Sequence, residues 1–305
     1  MQLEQSLIRK FENYQLVILV NLSILCLVAF NINPDIFNYY VQYYLLILLV
    51  SIIGLPHGFF DYSIGKKMFG NHKSWVLKFS IGYVVISLAY LSLWYINPFS
   101  SLLIFLALAI YHFGMEELSH ISYKEMSIID IVSIGSIPII LPIMFHLNDV
   151  IFIFEQIIDL RVNLPETPWL IKTLYLGVIS YVFYKLGYKR YLSYLVLIPS
   201  YMFLPPLLSF LLYFCFHHSL RHYITSIYSD KLVPDSFTLK SFITSIVFAS
   251  VCFTIMVVSI LMNFSTYAID VIIAKYTFIL LACLTLPHLI LNVYFEAKKN
   301  NYPSR

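Results

Sequence analysis

Long apolar runs separated by short polar breaks set the pattern of this chain. Ten runs can be marked, at approximately 15–32, 40–61, 75–96, 98–119, 127–146, 168–187, 190–204, 205–226, 238–263 and 269–296. About 20 apolar residues in a helix cross the hydrocarbon core of a bilayer. The pattern therefore predicts an all-α fold, a polytopic transmembrane helical bundle of about ten spans forming a single membrane domain, 1–305. The seventh and eighth runs divide at Leu204-Pro205-Pro206, because proline removes a backbone donor and disfavours helix in the residue before it. If that point is only a kink, the count falls to nine.

The basic residues orient this bundle. With the N-terminus cytoplasmic and ten spans, the cytoplasmic loops hold Arg9, Lys10, Lys66, Lys67, Lys73, Lys78, Lys124, Lys185, Lys189, Arg190, Arg221, Lys231, Lys240, Lys298, Lys299 and Arg305. Only Arg161, Lys172 and Lys275 fall outside. Short cytoplasmic loops collect Lys and Arg, so both termini are expected inside, in the cell membrane. The polar start Gln2-Leu3-Glu4-Gln5 favours a first span over Leu16 to Phe30 rather than a cleaved signal. The longest external connection, His146 to Trp169, is acidic, and Val150 to Leu160 alternates at helical spacing, as an interfacial helix does. Aromatic pairs such as Tyr39-Tyr40 and Tyr43-Tyr44 stand near span boundaries, where aromatic belts form.

Composition removes the soluble alternatives. The chain is 60% hydrophobic and 11% charged, with a mean hydropathy of +0.82. Soluble domains carry about 25% charged residues, and ten spans leave no room for one. The net charge of +3 reflects basic loops, so membrane lipid is an expected partner and nucleic acid is not. Cys26, Cys215, Cys252 and Cys283 lie inside apolar runs without CxxC spacing, and read as small buried hydrophobes.

Histidine is the polar residue that does not fit a simple lipid-facing reading. His57, His112, His218, His222 and His288 come late in the second, fourth, eighth and tenth runs. Even-numbered runs pass from outside to inside, so all five share one depth in the cytoplasmic half. Lys and Arg set that topology without reference to histidine. His218 and His222 are four apart and share a helix face, whereas His217 points elsewhere. Paired imidazoles on one face are how a helix offers two nitrogens to one metal. The alternative is that these histidines end helices and bond to headgroups and water. Imidazole in lipid is costly unless satisfied, and one shared ion would satisfy several at once; Zn, Cu, Fe and Ni all suit imidazole. Asp61, Glu116 and Glu117 are candidates to accept the remaining ring N–H groups, or else solvated helix ends. Gly54, Gly58 and Gly114 permit close helix approach or ordinary small-residue packing. Pro56 and Pro287 each precede a histidine and would locally free carbonyls.

Taken together, Gly54-Leu55-Pro56-His57-Gly58, His112-Phe113-Gly114, His218-Ser219-Leu220-Arg221-His222 and Leu286-Pro287-His288 resemble the Brp/Blh (bacteriorhodopsin-related protein) family, from about residue 45 to 295. These are integral-membrane β-carotene 15,15′-dioxygenases that make retinal for microbial rhodopsins. The resemblance implies iron(II), Fe(2+), held by His57, His112, His218 and His222. It leaves His288 as a fifth ligand or as support, beside Asp61, Glu116 and Glu117. It further implies β-carotene and O2 as substrates, cleavage across C15=C15′ to two all-trans-retinals, and retinal passed to a rhodopsin. No general acid or base is expected beyond the metal site. One departure is Glu116-Glu117, where the family pattern leads one to expect an aspartate.

Other readings fit the residues less well. A histidine-box desaturase or hydroxylase needs several HxxxH and HxxHH clusters, and this chain has one HxxxH pair on a span. A rhodopsin needs a mid-helix lysine; Lys78, Lys172, Lys185, Lys240 and Lys275 all fall near span ends. A transporter or metal-handling protein would use the histidines as a path, but they gather at one depth.

Overall fold

A computed structural model describes residues 2–54, 58, 60–71, 73–118, 127–187, 191–224, 226–227 and 269–301. The ninth run, 238–263, and His57, His72 and His120 lie outside the described residues. Among those described, every regular element is helical.

Helices α1 (Gln2–Ile32) and α2 (Tyr39–Leu49) lead to a π turn at Val50–Gly54 and a separate helix α3 (Phe60–Phe69). The run 40–61 is thus not one regular α-helix, its α-helical pairing already giving way at Val50. α4 (Trp75–Ile96) and α5 (Pro98–Glu117) follow. Asn97 caps α5, its side chain accepting from the Ser100 N–H at 3.0 Å, with Pro98 in the first turn.

The run 127–146 bends by 48° between α6 (Ile128–Gly135) and α7 (Ile137–Phe145). Pro138 and Pro142 remove donors there, and the Ser136 hydroxyl sits 2.7 Å from the Tyr175 hydroxyl. α8 (Leu147–Ile158) is the amphipathic helix foreseen in the acidic connection, burying Val150, Ile153 and Ile157 on one stripe. α9 (Trp169–Leu186) and α10 (Tyr194–Phe203) precede an extended Leu204. The chain resumes at Pro206 as α11 (Pro206–Tyr213), runs through a π turn at Phe214–Ser219, and continues as α12 (Leu220–Ile224). The last described helix, α13, is Ile269–Asn301.

Among the described residues, four segments are individually long and apolar enough to cross a membrane: Lys10–Ile32, Trp75–Ile96, Pro98–Glu117 and Val271–Lys298. The bent α6–α7 pair makes a fifth if it is one span. Their outer faces would be untenable in water. Leu25 is 64% exposed, Leu77 62% and Ile81 54%, apolar surface of the kind that needs a hydrocarbon solvent. Inside, α5 is the central element, packing against α4, α6, α8, α13 and the π turn before α12.

Its contact with α6 is backbone on backbone. A Cβ at Gly114 would stand 2.0 Å from the Ile131 carbonyl oxygen, and one at Gly135 would stand 1.8 Å from that of Ile110. Only glycine permits this approach, and it fixes the height of α5 two residues beyond His112.

Candidate metal centre

Four imidazoles gather from α5, the π turn, α12 and the interior of α13. His112 on α5 is the hub. Its Nε2 lies 3.2 Å from Nε2 of His218, and its ring centroid lies 4.9 Å from that of His218 and 5.1 Å from that of His288. His288 in turn lies 5.5 Å from His222. All four are buried. His218 belongs to the π turn and His222 to α12, so they do not sit on one uninterrupted α-helix face; the widened turn aims His218 at His112 and leaves His222 against His288 and Phe60.

Two of the rings are held by carboxylates. His288 Nδ1 donates to Asp61 Oδ1 at 2.7 Å, and His222 Nδ1 donates to Glu116 Oε1 at 3.0 Å. Each bond fixes the tautomer with Nε2 as the acceptor nitrogen; here the Asn292 amide donates to Nε2 of His288 at 2.9 Å and the Ser226 hydroxyl lies 3.4 Å from Nε2 of His222, contacts that an ion would replace. Asp61 is itself oriented by Tyr83, whose hydroxyl donates to Oδ2 at 2.8 Å. The His218 ring is held by aromatic packing, with Phe113 edge-on at 4.9 Å and Phe214 stacked at 5.8 Å.

Glu117 serves a different set. It accepts from His217 Nε2 at 3.0 Å and from the Arg221 guanidinium at 2.6 Å. Arg221, counted in the sequence as a loop charge, is largely buried in this pair; an exposed cation would have had no such partner. His217 packs on Tyr194 and Tyr213, on the side of the helix away from the four imidazoles.

His112, His288, Asp61 and Tyr83 also line an apolar cavity of about 620 Å³. Its walls include Phe105, Pro138, Ile139, Phe210 and Phe278. Along α13 it extends from Phe278 to His288, about 15 Å of helix at 1.5 Å per residue. Val84 of α4, 53% exposed, also lines it. Such a space suits an uncharged ligand.

The donor set suits a metal that favours nitrogen. Two ligands at about 90° on one ion, each at about 2.1 Å, stand roughly 3.0 Å apart, close to the separation of the His112 and His218 Nε2 atoms. Among the described residues no three His, Cys, Asp or Glu side chains already converge tightly enough to hold an ion.

Tyr83 and the Glu117–Arg221 pair were not foreseen from the sequence. Their partners lie 22 and 104 residues away, beyond the reach of any helical spacing.

The chain is similar to proteins of one known family. A family model described as beta-carotene 15,15′-dioxygenase matches residues 48–296. A protein from uncultured marine bacterium 66A03 named beta-carotene 15,15′-dioxygenase is 29% identical over 261 residues, which is 80% of this chain and 90% of the relative. No solved structure matches.

Proposed function

The chain belongs to the beta-carotene 15,15′-dioxygenase family, a family of carotenoid-cleaving enzymes, and from that premise we propose that it cleaves the central 15,15′ double bond of β-carotene with O2. The products would be two molecules of all-trans-retinal, one oxygen atom entering each. The observation that carries this reading is the apolar cavity lined in part by His112 and His288, whose rings stand beside those of His218 and His222.

Iron(II) fits the donors. His57, His112, His218 and His222 would hold it, with His288 as a further ligand or as the ring that brings Asp61 to the site. Imidazole suits iron, and the carboxylates of Asp61 and Glu116 would offset its charge. When bound, the ion supplies the activation of O2 that a closed-shell polyene cannot achieve alone.

The protein's own groups do the rest. Asp61 and Glu116 hold His288 and His222 with Nε2 as the acceptor nitrogen, which Asn292 and Ser226 would yield to the ion, and Tyr83 holds Asp61. The apolar walls exclude water and lay the polyene along α13, so that one double bond rests at the histidines. No side chain is required to move a proton, because addition of O2 and scission into two aldehydes needs none.

The substrate dissolves in lipid, and the whole chain acts as one membrane domain. We read it as the ten spans marked above with both termini in the cytoplasm of a cell-membrane protein, which places the centre in the inner half of the bilayer. Retinal released there would pass to a retinal-binding membrane protein such as a rhodopsin.

Purified protein in detergent, given β-carotene and air, should form two retinals per carotene consumed. Activity should fall on chelation and return with Fe(2+) but not with Zn(2+). Folded, iron-loaded protein that forms no retinal would refute the reading.

A further inference from the structure

The π turn that carries His218 is tied to a helix outside the residues the family model matches. α1 ends at Ile32, before the matched range begins at 48. Yet Gln15, in the middle of α1 and only 4% exposed, reaches across to the turn. Its side-chain nitrogen donates to the Phe216 carbonyl at 3.0 Å and to the His217 carbonyl at 2.6 Å. Both acceptors are carbonyls, so the amide must present its two N–H groups to them.

The demand for such donors arises from the turn. A π turn widens the helix by one residue and disturbs the usual pairing of its carbonyls. Three side-chain bonds settle this one: two from Gln15, and one from the Ser219 hydroxyl to the Phe214 carbonyl at 2.8 Å. The residue after those bonded by Gln15 is His218, whose Nε2 faces His112. Glu12, one turn before Gln15 on α1, lies within electrostatic reach of Arg221, so the same face of α1 addresses the segment at a second point.

We propose that Gln15 is a positioning residue for the metal centre, clamping the π turn so that His218 projects at His112, and that α1 is therefore a working part of the site. Without the clamp two buried carbonyls lose their donors, the turn reverts toward regular α-helix, and the His218 ring rotates away. Gln15 is not among the residues lining the apolar cavity, so its effect falls on metal binding and turnover and not on carotenoid binding. This rests on the reading of the imidazoles as metal ligands.

The test is titration of the purified metal-free protein with Co(2+), followed by its ligand-field absorption. Gln15→Met keeps the shape and removes both donors; Gln15→Asn keeps the amide but shortens its reach. Leu19→Ala, one turn further along the same buried face of α1, removes packing and leaves the carbonyl bonds intact. Both Gln15 variants should bind Co(2+) more weakly, Gln15→Met by roughly tenfold to a hundredfold, the range for lost outer-shell support, and with an altered band shape. In the presence of iron, kcat should fall while KM for β-carotene holds. Leu19→Ala should lower thermal stability and leave the Co(2+) affinity and spectrum unchanged. If either Gln15 variant folds and binds Co(2+) with the wild-type affinity and spectrum, the clamp is refuted. An equal loss in Leu19→Ala would refute it too, by reducing Gln15 to a packing residue. A wild-type protein that binds no Co(2+) would instead refute the metal reading on which the clamp rests.

Discussion

Gly114→Ala puts the smallest side chain where α5 and α6 touch backbone to backbone. Its Cβ would stand 2.0 Å from the Ile131 carbonyl oxygen, and ordinary contact begins near 3.4 Å, so the helices must part by about 1.4 Å. The obstacle is main chain and cannot swing aside as a side chain would. Overpacking of this kind costs about 1–3 kcal/mol, which lowers the unfolding temperature by several degrees. The larger effect is on chemistry, since Gly114 lies two residues from His112, whose Nε2 faces His218 at 3.2 Å. A misplacement near 1 Å costs roughly a hundredfold in rate. The assay is retinal formed per mole of folded, iron-supplied protein, with Gly82→Ala as control. A Cβ at Gly82 meets nothing within 4 Å, and alanine there should leave rate and stability intact. A Gly114→Ala protein with the wild-type rate and stability, or an equal loss in Gly82→Ala, would refute the argument.

Asp61→Asn keeps an acceptor for His288 but removes the charge, and should weaken iron affinity roughly tenfold to a hundredfold, measured by competition with a chelator; Tyr83→Phe should do less. Arg221→Ala leaves Glu117, whose side chain is 1% exposed, without its strongest donor. It should destabilise by about 3–5 kcal/mol, read by thermal unfolding, with Arg221→Lys retaining part of the loss. Ile139→Trp narrows the cavity away from the histidines and should raise KM for β-carotene while iron content holds; unchanged KM would detach the cavity from the substrate.

The sequence made the gathering of histidines legible because apolar runs reveal depth and Lys and Arg reveal direction. Four of the five histidines placed at one level do stand together, His112 with His218 and His288 with His222, while His57 falls outside the described residues. Asp61 and Glu116 were legible as acids one turn from a histidine. Which histidine each would meet was not, since Asp61 binds a ring 227 residues on. Helical spacing treated His218 and His222 as a simple pair and so missed the π turn, which is fixed by Gln15 from α1 and has no signature of its own in Phe214-Cys215-Phe216-His217-His218-Ser219. The bend at Ser136 and the π turn at Val50–Gly54 were hidden by continuous apolarity, although Pro138 and Pro56 stood near them.

The most direct test uses bacterial cells that accumulate β-carotene, expressing either this protein or its His218→Ala variant, with pigments extracted and separated. The account predicts that wild-type cells bleach and contain retinal, and that His218→Ala cells keep their colour with the protein present in the membrane. Colour retained by cells holding folded, iron-loaded wild-type protein would contradict it, and so would retinal produced equally by the variant.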